Sequence, residues 1–169
     1  MNFFEKVGIR IGQNILDFGC GRGKYTISLA KAIGNGMVYA MDKNKSAIEN
    51  LKKNIYIQKL GNIKIIYSKE KVKIPLGNRI LDVVFFYDLF SYLEENEREK
   101  LLLEANRVLK KGGLLSVYPK DIKPAYIEKA LGKYNFFLEA ELSAGTLVYN
   151  GEPVEDAIMN FRKTSSIIG

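Results

Sequence analysis

Residues 17–23 of this chain read Asp17-Phe18-Gly19-Cys20-Gly21-Arg22-Gly23, directly after the apolar run Asn14-Ile15-Leu16. The pattern predicts a buried strand that ends in an acid, then a glycine-rich turn, then a helix over residues 25–31. Alternate glycines let the backbone approach a ligand where a Cβ atom would collide, and the first turn of the helix offers free N–H groups nearby. Because open α/β sheets bind ligands at the carboxyl ends of their strands, we expect a ligand site here. Asp17 favours a ligand that carries positive charge.

The glycine spacing separates two classes of nucleotide site. The dinucleotide fingerprint is G-x-G-x-x-G, whereas this chain has G-x-G-x-G behind an acid, which argues against a nicotinamide-dependent oxidoreductase. A turn that only closes a tight βα connection is the structural alternative. The stretch resembles motif I of the class I S-adenosylmethionine-dependent methyltransferases. That resemblance implies that Asp17, Gly19, Cys20, Gly21 and Gly23 hold the methionine end of the cofactor, whose product is S-adenosylhomocysteine.

Length and composition predict one domain over residues 1–169, with a short segment before the first strand. The chain has 169 residues, of which 47% are apolar, enough for a sizeable core. It contains one cysteine, Cys20, and no histidine, so we expect neither a disulfide nor a metal site. Because no histidine can activate it, Cys20 is expected to be a small semi-buried residue rather than a nucleophile.

The chain is basic, with a formal net charge of +7 and a pI of about 9.3. This charge would allow an anionic partner. The lysines, however, are scattered through residues 43–73, so a solvated surface is the preferred interpretation. No apolar run is long enough to span a membrane. We therefore expect a cytoplasmic protein.

Strands alternate with helical stretches along most of the chain, which predicts an α/β fold with a parallel sheet covered by helices. Asn44 is expected to cap the helix after the second strand, and Gly61 to end it. The tail predicts two strands joined by a long connection, with room for a further short strand at residues 146–149. The expected strands after the first cover residues 36–42, 63–67, 81–87, 114–118, 136–142 and 157–162, and the later helices residues 46–59, 95–109 and 124–131.

The resemblance to class I methyltransferases extends over nearly the whole chain. Asp42 ends the second predicted strand, and its two carboxylate oxygens suit the two neighbouring hydroxyls of a ribose. Capping of the next helix is the alternative role for Asp42. Lys43 would lie beside the adenine and pack against it through its alkyl stem.

Two further segments resemble the family, and this resemblance implies the topology of the sheet. Residues 108–115 resemble its turn from a helix into the fifth strand, with Gly112 and Gly113 expected to end the helix. Residues 160–163 resemble the last strand of the small-molecule branch. The family topology implies a doubly wound, Rossmann-like sheet of seven mostly parallel strands with helices on both faces. Its last strand lies antiparallel between the fifth and the sixth.

The sequence departs from the family pattern at three places. Residues 67–70 lack the aspartate that often binds the adenine amine, so we expect Ser68 or a backbone group to replace it. The segment before the first strand is short, whereas many relatives carry one or two helices there that cover the cofactor. Residues 90–93 lack the histidine found at this position in many small-molecule enzymes.

Tyr87 and Asp88 stand at the end of the fourth predicted strand, where the resemblance places the reacting methyl group. Tyr87 is therefore expected to contact the cofactor. If the acceptor must lose a proton, Asp88 is the first candidate base and Tyr87 or Tyr92 a weaker one. A helix cap for Asp88 and a wall position for Tyr92 are the alternatives. Methyl transfer depends mainly on positioning, so the enzyme needs no dedicated nucleophile.

The sequence argues against two classes of methyl acceptor. Residues 86–89 contain no proline, whereas enzymes that methylate exocyclic amines of nucleic acids usually carry a D/N/S-P-P-Y/F/W turn there. Methylation of pyrimidine C5 needs a cysteine nucleophile, and Cys20 lies in a different loop. We expect a small-molecule acceptor, with RNA or protein acceptors and a non-catalytic subunit as alternatives. A second copy or a partner chain could supply the cover that the short N-terminal segment does not.

Overall fold

The computed structural model describes residues 2–120 and 122–164, which form a central sheet with helices on both faces. The strands of this sheet are β1 (Asn14–Phe18), β2 (Met37–Asp42), β3 (Ile63–Tyr67), β4 (Leu81–Tyr87), β5 (Leu109–Tyr118), β6 (Phe136–Leu142) and β9 (Ile158–Lys163). A two-stranded hairpin, β7 (Val148–Tyr149) and β8 (Glu152–Pro153), stands apart from it. The helices are α1 (Phe3–Val7), α2 (Thr26–Ile33), α3 (Lys45–Ile57), α4 (Glu95–Val108) and α5 (Pro124–Gly132).

The sheet has seven strands in the order β3-β2-β1-β4-β5-β9-β6. Strands β1 to β5 pair in parallel, and β9 pairs antiparallel with both β5 and β6. The predicted doubly wound, Rossmann-like α/β fold is thus confirmed, including the antiparallel last strand between the fifth and the sixth. The direction of winding reverses at β1, which lies between β2 and β4, and such a switch point opens a crevice at the carboxyl ends of the strands.

Both faces of the sheet are buried because side chains alternate along each strand. On β4, Phe86 packs into the cluster that contains α4 and α5, whereas Phe85 packs into the cluster that contains α1 and α2. Helix α3 covers the neighbouring part of the second face through Ile48 and Leu51. None of the described helices is long and apolar enough to cross a membrane.

Two of the predicted helix ends are wrong. Asn44 caps α3 as expected, since its side chain accepts a hydrogen bond from the Ala47 amide at 3.0 Å. The helix, however, ends at Ile57 and not at Gly61, and Lys59 adopts a left-handed conformation after it, with φ +53°. Helix α4 ends at Val108 without the glycines, because residues 109–113 already belong to β5 and Gly112 (φ +69°) lies in an irregularity of that strand.

Two small elements were not among the expectations, and a third was expected only in part. Helix α1 has a capping box in which Asn2 and Glu5 each bond the other's backbone amide. A single 3₁₀ turn covers Phe90–Tyr92 after β4. The hairpin β7–β8 turns at Asn150 and Gly151, both with positive φ, so the short strand foreseen at residues 146–149 exists with a partner that was not foreseen.

Candidate functional site

The glycine turn is tied by its backbone to the end of β2. The amides of Gly19 and Cys20 both donate to the carbonyl of Met41, at 2.8 and 3.0 Å. Gly19 and Gly21 have φ +77° and +55°, a region that other L-residues enter only at a cost. The turn therefore has a fixed shape that depends on glycine.

Asp42 is held in place by the turn and by the start of α3. Its Oδ2 accepts from the Gly21 amide at 2.7 Å, and its Oδ1 accepts from the Asn44 amide at 2.8 Å. An ionised carboxylate has about four acceptor positions, so each oxygen of the half-buried Asp42 can accept one more hydrogen bond. The carboxylate is thus oriented in advance for a ligand with two neighbouring donors.

Asp17, the other predicted acid, is almost fully buried, with 3% of its surface exposed. Its Oδ2 accepts from the Thr26 hydroxyl at 2.6 Å. Burial raises the pKa of Asp17 from 3.8 to about 6; the Thr26 hydrogen bond opposes this shift, and the charge of Asp42 adds to it. Among the described residues, neither Asp17 nor Asp42 takes part in an ion pair.

A cavity of about 310 Å³ opens beside Asp42 at this edge of the sheet, and we call it the first cavity. The residues that line it come from the ends of β1, β2, β3 and β4. They are Phe18, Gly19, Met41, Asp42, Lys43, Ser68, Glu70, Lys71, Leu89, Tyr92 and Leu93. Four of the residues predicted for the cofactor, Gly19, Asp42, Lys43 and Ser68, therefore meet around one cavity.

Two other predicted cofactor residues, Cys20 and Gly23, lie behind this surface. Cys20 is buried against Ala40, Ile48 and Leu51, and burial raises the pKa of its thiol. Gly23 faces α3, where a Cβ atom would stand 2.4 Å from Leu51 Cδ1. Gly23 is thus needed for the packing of the turn against α3. Glycine spacing in the sequence does not show whether a glycine is needed for packing or for contact with a ligand.

The predicted residues at and after the end of β4 point to different places. The hydroxyl of Tyr87 is buried and 2.8 Å from Ser116 Oγ, and burial raises its pKa well above the ordinary value. Tyr92 lines the first cavity and is 78% exposed. Asp88 lines a second cavity of about 430 Å³ on the other side of the β4 tip. Of these three side chains, only Tyr92 is placed at the first cavity.

Ser68 is joined to the site through its backbone. Its amide donates to the Asp42 carbonyl at 3.1 Å, and its hydroxyl oxygen accepts from the Glu70 amide at 3.2 Å. Since a serine hydroxyl also has a hydrogen to donate, Ser68 can still offer a donor to a ligand in the first cavity.

Two observations test whether these residues fit an adenosyl sulfonium cofactor. A Cβ atom on Gly21 would meet no heavy atom within 4 Å, so this glycine leaves open space rather than serving packing. Asp42 keeps free acceptor positions for a ribose. Both features suit the cofactor. The fold and the site together define an α/β nucleotide-binding protein in which a glycine-rich turn lies between two acidic residues.

Comparison with known proteins identifies the family. The model of the methyltransferase domain family matches residues 15–113, more than half of the chain. The chain therefore belongs to this family, and the predicted resemblance is confirmed.

Relatives and solved structures show how far the likeness reaches. A probable cobalt-precorrin-6B C(15)-methyltransferase from Sulfurisphaera tokodaii is 31% identical over 108 residues, which cover 63% of this chain and 53% of the relative. A demethylmenaquinone methyltransferase from Geobacillus is 29% identical over 110 residues, 64% of this chain and 46% of the relative. The chain thus spans about half the length of the curated relatives it matches.

A structure of a SAM-dependent methyltransferase from Aquifex aeolicus superposes with a TM-score of 0.76 at 22% identity, covering 94% of this chain and 86% of that one. One from Methanosarcina mazei reaches a TM-score of 0.81 at 15% identity, covering 98% of this chain and all of the other (100%). At these identities the two structures support the fold.

Proposed function

We propose that this protein binds S-adenosylmethionine at the first cavity and transfers its methyl group to a small-molecule acceptor. The observation that carries the proposal is the hydrogen bond between the Gly21 amide and Asp42, at 2.7 Å. It joins the glycine turn after β1 to the acid after β2 and so fixes the two parts of the predicted cofactor site against each other.

Three of the predicted residues have a defined task in this proposal. Asp42 accepts from the two ribose hydroxyls with its remaining acceptor positions, and the alkyl stem of Lys43 packs against the adenine. Asp17 does not line the first cavity, so it acts through its negative charge on the cationic methionine end. When bound, the cofactor supplies an activated methyl group.

Catalysis in this proposal is mainly positioning. Holding two reacting atoms about 3–3.5 Å apart in the right direction can lower the barrier by roughly 7–11 kcal/mol. The buried hydroxyl of Tyr87, bonded to Ser116, is poorly placed to act as a base. The geometry therefore favours Asp88 over Tyr87 as the candidate base.

A small-molecule acceptor is supported by relatives whose names specify precorrin, demethylmenaquinone and coclaurine as substrates. The alternatives are an RNA or protein acceptor and a non-catalytic subunit. The cytoplasmic location, the single domain over residues 1–169 and any partner chain stay predictions.

Isothermal titration calorimetry with S-adenosylhomocysteine tests the cofactor part. We expect micromolar binding, and Asp42→Ala should weaken it about 100-fold or more, because two hydrogen bonds to a charged group are lost at about 1.5–3 kcal/mol each. Asp82→Asn is the matched control, since Asp82 lies near the start of β4 at the opposite edge of the sheet, beside Lys110. An absence of binding, or equal weakening by both variants, would contradict the proposal.

A change in NADH fluorescence on mixing would instead favour the oxidoreductase alternative.

A further inference from the structure

The tip of β4 separates two cavities. Leu89 lines the first cavity beside Asp42, whereas the preceding residue, Asp88, lines the second cavity. The Asp88 amide donates to the Tyr118 carbonyl at 3.3 Å, so this corner is fixed to the end of β5. Because Asp88 and Leu89 are consecutive, the two cavities lie on either side of one corner of the backbone.

Three tyrosines contribute to the wall of the second cavity. Tyr25 follows the glycine turn, Tyr118 ends β5 and Tyr149 belongs to β7, and all three line the cavity. The rings of Tyr25 and Tyr149 are 4.8 Å apart between centroids, and the Tyr149 hydroxyl donates to the Lys24 carbonyl. Such rings attract cations through their faces, and the ammonium of Lys24 already lies 5.1 Å from the centroid of Tyr25.

Asp88 contributes a carboxylate that the described residues leave without a partner. Its Oδ1 is buried and accepts no hydrogen bond from them, and it forms none of their ion pairs. Its backbone has φ +54°, an uncommon conformation for a residue other than glycine. Buried polar atoms in proteins are nearly always bonded, so an unpaired acceptor beside a cavity points to a ligand that donates.

We propose that the second cavity binds the methyl acceptor as a protonated amine, with its ammonium between the Asp88 carboxylate and the tyrosine rings. This inference rests on the proposed function and names the substrate class of the same site. Glu152 and Glu155 add negative charge to the cavity, against Lys24 and Lys120. Because neither lysine pairs with Asp88 within the described part of the chain, that carboxylate stays available to the ligand.

The chemical step balances with these groups. The ammonium gives one proton to the Asp88 carboxylate, which frees the nitrogen lone pair. The nitrogen then forms a bond to the methyl carbon of the sulfonium donor as the carbon–sulfur bond breaks. The sulfur keeps the bonding electrons and becomes a neutral thioether, and the methylated amine leaves in its protonated form. Asp88 then releases the proton it accepted to solvent and is a carboxylate again.

The test compares three probes that share a phenethyl group and differ in charge: phenethylamine, phenethyl alcohol and the slightly larger hydrocinnamate. Their affinities are measured by ligand-observed NMR in the presence of S-adenosylhomocysteine, whose own affinity is measured by calorimetry in the same samples. We expect phenethylamine to bind about 10- to 100-fold more tightly than the alcohol, as fits one hydrogen bond to a charged group. Hydrocinnamate should bind most weakly.

Asp88→Asn is the deciding variant, because asparagine tolerates the left-handed conformation of this residue and removes the charge while keeping the shape of the side chain and one acceptor oxygen. It should abolish the preference for the amine and leave the affinity for S-adenosylhomocysteine unchanged. Glu128→Gln, an exposed change on α5 outside the second cavity, should keep the preference.

If S-adenosylhomocysteine binds but the amine and the alcohol bind equally, or Asp88→Asn keeps the preference, this inference is wrong and the proposed function stands. If S-adenosylhomocysteine does not bind, the proposed function itself fails.

Discussion

The two cavities at the carboxyl ends of the strands differ in the groups that line them. The first cavity lies beside a backbone turn, and its central acid, Asp42, is held by two main-chain amides at 2.7 and 2.8 Å. The second cavity is lined by three tyrosines, from the N-cap of α2, the end of β5 and the hairpin β7–β8, together with several charged residues.

This difference indicates that the two cavities have different roles in the same fold. A site that depends on backbone conformation tolerates few substitutions, since any side chain in the turn would strain it. A site made of side chains can change its ligand while the sheet stays as it is. We therefore infer that the first cavity holds the ligand common to the family and that the second selects the acceptor.

The first way to test the backbone side of this comparison is Gly23→Ala. The new Cβ atom would stand 2.4 Å from Leu51 Cδ1, and Leu51 is fully buried. Overpacking costs about 1–3 kcal/mol and the left-handed conformation at φ +88° about 1–2 kcal/mol more. We expect the free energy of unfolding in urea, followed by circular dichroism, to fall by about 2–5 kcal/mol.

Gly21→Ala is the matched control for that experiment. Gly21 also has positive φ, but its Cβ atom would meet nothing within 4 Å. Only the conformational cost of about 1–2 kcal/mol should appear. Equal losses in the two variants would show that contact with α3 does not fix the turn.

Asp17→Asn separates the charge of the first site from its packing. Asparagine has the same shape and can still accept from Thr26, but it stays neutral. The pKa of Asp17 rises from 3.8 to about 6 mainly through burial, so ionising it in the folded protein costs up to about 3 kcal/mol. At pH 7 we expect the variant to be more stable by up to that amount in urea unfolding, and to bind S-adenosylmethionine more weakly in calorimetry.

The pH dependence has a definite sign. Between pH 3.8 and about 6 the folded protein holds more protons on Asp17 than the unfolded chain does, so its free energy of unfolding falls as pH rises. Affinity for the cationic cofactor should change in the opposite direction, rising as Asp17 ionises. If the free energy of unfolding depends on pH in the same way for the wild type and Asp17→Asn over this range, burial of the Asp17 charge does not destabilise the folded protein.

The same contrast explains which parts could be predicted from sequence. Strands β3 (Ile63–Tyr67) and β4 (Leu81–Tyr87) have the predicted bounds, because each is a short apolar-rich run between breaks in the pattern. The residues of the first cavity follow consecutive strand tips, so their position in the chain already indicates that they meet. The end of α3 was missed since Lys59, not a glycine, adopts the left-handed conformation.

The second cavity could not be found in this way. Tyr25, Tyr118 and Tyr149 are distant in the chain, and no spacing relates them. Only the hairpin β7–β8 brings Tyr149 over Tyr25, and its second strand has just two residues. Tertiary packing alone assembles this wall.

The smallest expected effect tests that wall directly. Tyr149→Phe removes the hydroxyl that donates to the Lys24 carbonyl and keeps the ring beside Phe3 and Tyr25. The free energy of unfolding should fall by only about 0.5–1.5 kcal/mol, the net worth of one ordinary hydrogen bond. Calorimetry should give wild-type affinity for S-adenosylhomocysteine, because Tyr149 does not line the first cavity. A clear loss of that affinity would mean that the two cavities are coupled through the turn at Lys24, and the division of tasks between backbone and side chains would not hold.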